Sequence, residues 1–245
     1  SLPSNLQTGL VGYWPFCGNA NDASGNGYNG TVNGATLTTD RFGNANSAYS
    51  FPGSANNNIT LANSTNLVNG SFSVSSWCTI EDLYPSNFDA TIIGQLNGSV
   101  SNDRKWLFGY RSIGLQNGVS YYLFNNSGNM LSNNYSLNWL PIQSQWYHIT
   151  WVFQSGNSIK TYINGVLHTD ISVSITSFNN ISNNVLAKIG NAVDIDSPFP
   201  LPWKGKIDDV GIWNRTLSAS EIQQLYTQGQ TTYAWSPGGA TTPSI

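Results

Sequence analysis

Charge is scarce in this chain. Only 9% of its 245 residues are Asp, Glu, Lys or Arg, nine basic against twelve acidic, for a net charge of −3. No basic block exists, so nucleic acid and anionic membranes are poor candidate partners. No apolar run reaches the roughly 18 residues needed to cross a bilayer. The opening "SLPSNLQTGLVGYWPF" has neither a basic n-region nor an apolar h-region, so any signal peptide is expected to be gone already. Only two cysteines occur, Cys17 and Cys78, which excludes a disulfide-dense scaffold and a Cys-x-x-Cys metal site. One pair is compatible with a single disulfide in an oxidising compartment, or with two buried free thiols. "GNGYNG" is no phosphate loop, because no Lys-Ser/Thr and no helix follow it.

What is present is strand. "SFSVSSWCTI" (71–80) alternates, with Phe72, Val74, Ser76, Cys78 and Ile80 on one side and Ser73, Ser75, Trp77 and Thr79 on the other. "QWYHITWVFQ" (145–154) is rich in aromatic and β-branched residues. "SIKTYINGVLHTD" (158–170) reads as two strands around Asn164-Gly165, since a type I′ turn needs φ > 0 at both central positions. "VLAKIGN" and "GKIDDVGIW" are further strands, and seven Asn-Gly dipeptides punctuate the chain. One helix is predicted near 218–228. Ser218 and Glu221 form a capping box, Ile222, Leu225 and Tyr226 an apolar stripe, and Gly229 the C-terminal cap. Residues 1–229 thus read as one domain, and 230–245 as a linker or the start of a further domain.

Four segments carry a family resemblance: "GLVGYWPFCGNANDASGNGYNGTVNGATLTTDRFGNANSAYSF" (9–51), "FSVSSWC" (72–78), "WYHITWVFQSGNSIKTYINGVL" (146–167) and "GKIDDVGIWNRTLSASEIQQLY" (205–226). In this order they resemble a laminin-G-like, concanavalin-A-like jelly-roll domain of the bacterial secreted type. The resemblance implies an all-β sandwich of two antiparallel sheets, with the N- and C-terminal segments paired side by side. It also implies an extracellular or cell-surface setting, which favours a Cys17–Cys78 disulfide. "YAWSPGGATTPSI" resembles the start of the Ig-like repeats of large Bacteroidetes adhesins, implying a monomeric module within a longer chain.

The superfamily includes glycoside hydrolases and lyases, yet catalysis ranks low. A glycosidase needs two carboxylates about 5–10 Å apart. The Glu-x-Asp-x-x-Glu strand of the hydrolase branch is missing, Glu81 sits beside Asp82 near a strand end, and Glu221 belongs to the helix cap. His148 stands where this family commonly has a structural His, and His168 lies in a strand. Calcium is the stronger expectation. "GNANDASGNGYNGTVNGA" (18–35) combines flexible Gly, neutral Asn oxygens and one carboxylate, the kind of loop that curls around a hard cation. Asn19 and Asp22, joined by the strand-embedded Asp208 and Asp209, form the candidate Ca²⁺ site. By alternation one of the two adjacent acids must point inward or toward a neighbouring loop. The competing reading makes the stretch plain turns, with Asp208 or Asp209 capping backbone N–H groups or pairing with Arg215.

Sugar binding rests on aromatics with polar neighbours. The candidates are Asp103, Arg104, Trp106, Tyr110 and Trp139, with Arg111 and Tyr135 alongside. A second cluster holds Asp194, Asp196, Phe199 and Trp203. For any single aromatic in a sandwich, core is the commoner role. The leading expectation is a non-catalytic, lectin-like or adhesive module binding a glycan at a surface. The alternatives are a structural or protein-interaction spacer and, third, a polysaccharide-degrading enzyme.

Overall fold

The computed structural model describes residues 2–54, 56–81, 88–96, 104–113, 116–124, 130–135, 139–176, 185–192 and 201–230. A single turn of helix, α1 (Ser4–Gln7), precedes β1 (Leu10–Trp14), β2 (Gly30–Asn33), β3 (Thr36–Thr38), β4 (Ala48–Pro52) and β5 (Asn58–Leu61). Then come β6 (Phe72–Cys78), β7 (Phe88–Leu96), β8 (Arg104–Ile113), β9 (Gln116–Phe124) and β10 (Met130–Tyr135). The chain continues through β11 (Tyr147–Gln154), β12 (Ser158–Ile163), β13 (Val166–Ser172), β14 (Lys188–Ile189) and β15 (Lys204–Trp213) to α2 (Ala219–Thr227). No helix among the described residues is long and apolar enough to cross a membrane.

All pairings are antiparallel and form two sheets. One runs β13-β12-β11-β6-β15-β4-β3, with β1 also on β15; the other runs β10-β9-β8-β7-β14-β5-β2. The terminal segments do pair: β1 lies against the second half of β15, while β4 lies against its first half. Asn164 and Gly165 take φ of 50° and 77° and close the β12–β13 hairpin where the dipeptide predicts it.

Aromatic side chains fill the space between the sheets. Phe72 meets Phe108 at 5.8 Å between ring centres, and Phe108 meets Trp151 at 5.2 Å. Trp14, Phe51, Trp106 and Tyr110 join them, all buried. Strand β6 is buried at every position, on both faces. The predicted alternation explains this: Phe72, Val74 and Cys78 enter the inter-sheet core, while Trp77 stacks on Tyr226 of α2 at 5.7 Å. On that outer face Leu6, Trp213, Leu217, Ile222 and Leu225 form a second cluster. The capping box closes as read, with Ser218 Oγ accepting from Glu221 N and the Glu221 carboxylate accepting from Ser218 N.

Candidate functional site

Strand β15 changes partner at Asp208 and Asp209, and the backbone breaks register there. Asp208 faces Trp77 of β6 and Gly211 faces Ser75, so two residues of β15 oppose one of β6. This is a β-bulge, with Asp209 in the left-handed region at φ 47°. The extra residue cancels the alternation on which the sequence argument relied. Both carboxylates emerge on one face, where Arg41 Nη1 donates to Asp208 Oδ2 at 3.0 Å and to Asp209 Oδ2 at 2.8 Å. The partner is Arg41 rather than Arg215, which instead holds Glu221 and keeps its carboxyl low, at about 2. The Arg41 guanidinium lies over the rings of Phe42 (4.4 Å) and Trp77 (4.5 Å), and its Nη2 donates to the carbonyl of Gln228 beyond α2. Tyr13 Oη donates to Asp209 Oδ1 at 2.5 Å.

Burial and the charge of Asp209 raise the Asp208 carboxyl well above the usual carboxylate range. Behind this group His148 is buried between Trp77 and Tyr226, with Nε2 2.8 Å from Ser75 Oγ. Burial, with help from the Arg41 charge, lowers it to about 3, so it is neutral.

The Gly/Asn loop is organised by Asp22. Oδ1 accepts from Tyr13 N (3.0 Å) and Ser24 N (2.9 Å), and Oδ2 accepts from Ser24 Oγ (2.8 Å) and Tyr28 N (3.1 Å). A carboxylate has about four lone-pair sites, and all are taken. Gly25 and Gly27 supply the left-handed turns, at φ 88° and 83°, that bring Tyr28 N back to it. Asn19 Oδ1 accepts from Asn21 N. The expected Ca²⁺ set of Asn19, Asp22, Asp208 and Asp209 therefore does not fit a cation as arranged. Asp22 is saturated by N–H and O–H donors, and a guanidinium already bridges the other two acids. Among the described residues no three His, Cys, Asp or Glu side chains gather as metal ligands.

Over this cluster lies a cleft of about 740 Å³ between the first loop, the β3–β4 loop and the end of α2. Tyr13, Asn26, Asp40, Phe42 and Asp209 line it. Phe42 is 46% exposed, a ring free on one side. Asp40 holds its own loop, with Oδ1 accepting from Phe42 N and Asn44 N. Sequence reasoning missed Arg41 and Phe42, although "DRF" stands inside the first family-like segment. The signal was that two strand-embedded acids require a cation.

The aromatic candidates go elsewhere. Trp106 and Tyr110 are wholly buried between the sheets, and Trp203 is buried with Nε1 donating to Thr79 O. Their inward positions on β8 and before β15 make them core, which corrects the sugar-contact expectation. Trp139 is half-buried, edge-on to Tyr110 and Tyr147. Arg104 and Tyr135 are placed only as strand backbone, while Asp82, Asp103, Asp194, Asp196, Phe199 and residues 231–245 lie outside the described residues. Arg111 lies near Asp89 (3.5 Å) beside Tyr122. The expected disulfide is also corrected: Cys17 and Cys78 are free. Cys78 faces the inter-sheet core, whereas Cys17 lines the cleft on the opposite side of the sheet.

No curated protein matches this chain. Among solved structures, domain 4 of AbnA, a GH43 extracellular arabinanase from Geobacillus stearothermophilus in complex with arabinotriose, matches with TM-score 0.66 at 21% identity, over 89% of this chain and 98% of that one. The binding domain of Paraclostridial Mosquitocidal Protein 1 matches with TM-score 0.67 at 16% identity, over 91% of this chain and 52% of its own. A botulinum neurotoxin type C structure, described as entering cells through interaction with two ganglioside molecules, matches with TM-score 0.62 at 19% identity, over 94% and 53%. The chain thus spans about half the length of the toxin domains and nearly all of the arabinanase domain, and at these identities the likeness is one of fold. A family profile described as the concanavalin A-like lectin/glucanases superfamily matches residues 52–223. That match covers most of the chain, and this protein belongs to the concanavalin A-like lectin/glucanase superfamily.

Proposed function

We propose that this chain is a non-catalytic glycan-binding module of an extracellular or cell-surface protein, and that the cleft beside β1 receives the sugar. One observation carries the reading: an exposed ring, Phe42, borders a roomy polar cleft whose base is fixed by Arg41, Asp209 and Tyr13. Sugars pack a C–H face on such rings and direct hydroxyls to polar groups around them. Two fold neighbours are described with arabinotriose and with gangliosides, which supports a saccharide as the ligand. Against catalysis, each Asp and Glu side chain among the described residues is already engaged. Asp22 holds its loop, Asp40 its turn, Glu81 Thr79 and Ser144, and Asp170 Lys160. Asp89 lies with Arg111 and Tyr122, Asp208 and Asp209 with Arg41, and Glu221 with Arg215.

The test is binding to an oligosaccharide array, followed by calorimetry on the hits, for the wild type and Phe42→Ala. Retained folding with binding weakened about tenfold or more supports the site, since loss of one stacking ring is worth a hot-spot contribution. Undiminished binding by Phe42→Ala places the site elsewhere, and an array with no hit favours a spacer.

A further inference from the structure

The cleft has an unusual balance of hydrogen-bonding groups. Among the described residues its single basic side chain is Arg41, whose Nη groups are spent and whose Nε–H is buried away from the cleft. Both Nη atoms bond Asp208, Asp209 and Gln228 O, aromatic rings flank it, and the side chain is 8% exposed. Of the four amide side chains on the wall, Gln7, Asn26, Asn44 and Gln228, the first three turn their NH₂ groups to the protein. Asn26 donates to Leu10 O and Val11 O, Asn44 to Asp40, and Gln7 to Leu2 O. The lining is therefore richer in acceptors, the amide oxygens of these three together with the Asp40 and Asp209 carboxylates, than in unspent donors, of which the Gln228 NH₂ is one.

Resting on the glycan reading above, we propose that the cleft selects uncharged saccharides and rejects those bearing carboxylate or sulfate groups. A sugar hydroxyl is a donor that an ionised carboxylate accepts strongly. An anionic sugar brings negative charge beside Asp40 and Asp209, where no unspent cationic side chain among the described residues lines the cleft. Like charges brought together in an interface are unfavourable, so matched acidic ligands bind at least about tenfold more weakly. Asp40→Asn is the informative change: its Oδ1 can still accept from Phe42 N and Asn44 N, while the charge is gone.

The experiment uses the full chain against neutral arabino-, xylo-, gluco- and galacto-oligosaccharides and against uronate- and sialate-bearing oligosaccharides. Each is measured near 0.01 M and near 1 M salt, where the screening length falls from about 30 Å to about 3 Å. Binding confined to the neutral set supports the proposal, with discrimination narrowing severalfold at high salt and in Asp40→Asn. Equal or preferential binding of acidic saccharides overturns it while leaving a glycan-binding module standing. Discrimination unmoved by both salt and Asp40→Asn also overturns it, since the selectivity then has another source. Binding of neither class removes the proposal and the glycan reading together.

Discussion

Two acidic places in this molecule invite the same reading and turn out to be built on different principles. Asp22 sits in a Gly/Asn loop and is neutralised by backbone and hydroxyl donors drawn from within sixteen positions, Tyr13 to Tyr28. Asp208 and Asp209 sit in a strand and are held by one guanidinium from a loop 167 and 168 positions away. The first arrangement uses dipoles and local turns; the second uses a net charge brought in by the fold. A carboxylate near glycine and asparagine is thus as well served by its own loop as by a metal. Two adjacent strand acids, by contrast, find little locally: Asp209 N reaches Asp208 Oδ1 at 2.7 Å, while most strand N–H groups are committed to the ladder.

The largest expected effect follows from breaking the second arrangement. Arg41→Met leaves two acids at a mostly buried site with no cation, and removing one partner of a buried ion pair costs about 3–5 kcal/mol. The shift in urea midpoint at constant m-value measures it. Adding Asp208→Asn and Asp209→Asn to Arg41→Met should restore much of the loss, since a neutral triad needs no cation. A single Arg41→Met cost below about 1 kcal/mol would mean that the acids find solvent instead.

Asp22→Ala comes next. It frees four donors at once, each bond to a charged acceptor being worth about 1.5–3 kcal/mol when buried. Much of this loop is exposed and water can replace part of the loss, so about 2 kcal/mol is expected in total. Chelator should leave the melting temperature of the wild type unchanged. A clear drop on chelation, reversed by added Ca²⁺ and absent in Asp22→Ala, would restore the metal reading.

These two sites also show what the sequence disclosed. Local patterns were readable: the alternation of β6, the Asn164-Gly165 turn and the Ser218/Glu221 box each depend on residues a few positions apart. The bulge was not, because β15 exchanges β4 for β1 at that point, and no periodicity within "GKIDDVGIW" encodes its neighbours. Nor could composition separate a buried Trp106 or Tyr110 from a ligand-stacking ring, since both are aromatics among polar residues. Phe42 looked unremarkable for the same reason, and only the fold leaves it exposed.

The comparison predicts a pH signature at the strand site. His148, lowered to about 3, stays neutral in the fold while the unfolded chain takes a proton near the ordinary value of about 6.5. Its contribution to stability is therefore lost as pH falls from about 6.5 toward 3, with a limiting slope near 1.4 kcal/mol per pH unit. Asp208 is raised, so the fold holds a proton that the unfolded chain releases above about 4, and its contribution is lost as pH rises. Between about pH 4 and 6.5 the two slopes oppose. Wild-type stability should be nearly flat there, His148→Gln should fall with rising pH, and Asp208→Asn should rise with it. Parallel profiles for all three proteins would refute the assignment.

The smallest effect belongs to the cysteine at the cleft. Cys17 lies at the edge of the cleft, its Sγ within 3.5 Å of the Pro15 carbonyl oxygen, and partial burial with the nearby acids raises its thiol pKa, so it is a poor nucleophile. Cys17→Ser replaces one weak donor by a better one at an exposed place and should change stability by less than about 0.5 kcal/mol. Cys78 is fully buried among apolar groups between the sheets, where serine would bring a hydroxyl with no evident partner. Cys78→Ser should therefore cost about 1–3 kcal/mol. With the two thiols on opposite sides of one sheet, reductant should shift neither the wild type nor Cys17→Ser. The protein unfolded without reductant should titrate two thiols. If it titrates none, and reductant lowers the wild-type midpoint, the chain carries a Cys17–Cys78 bridge, and strand β6 must then turn Cys78 toward the first loop.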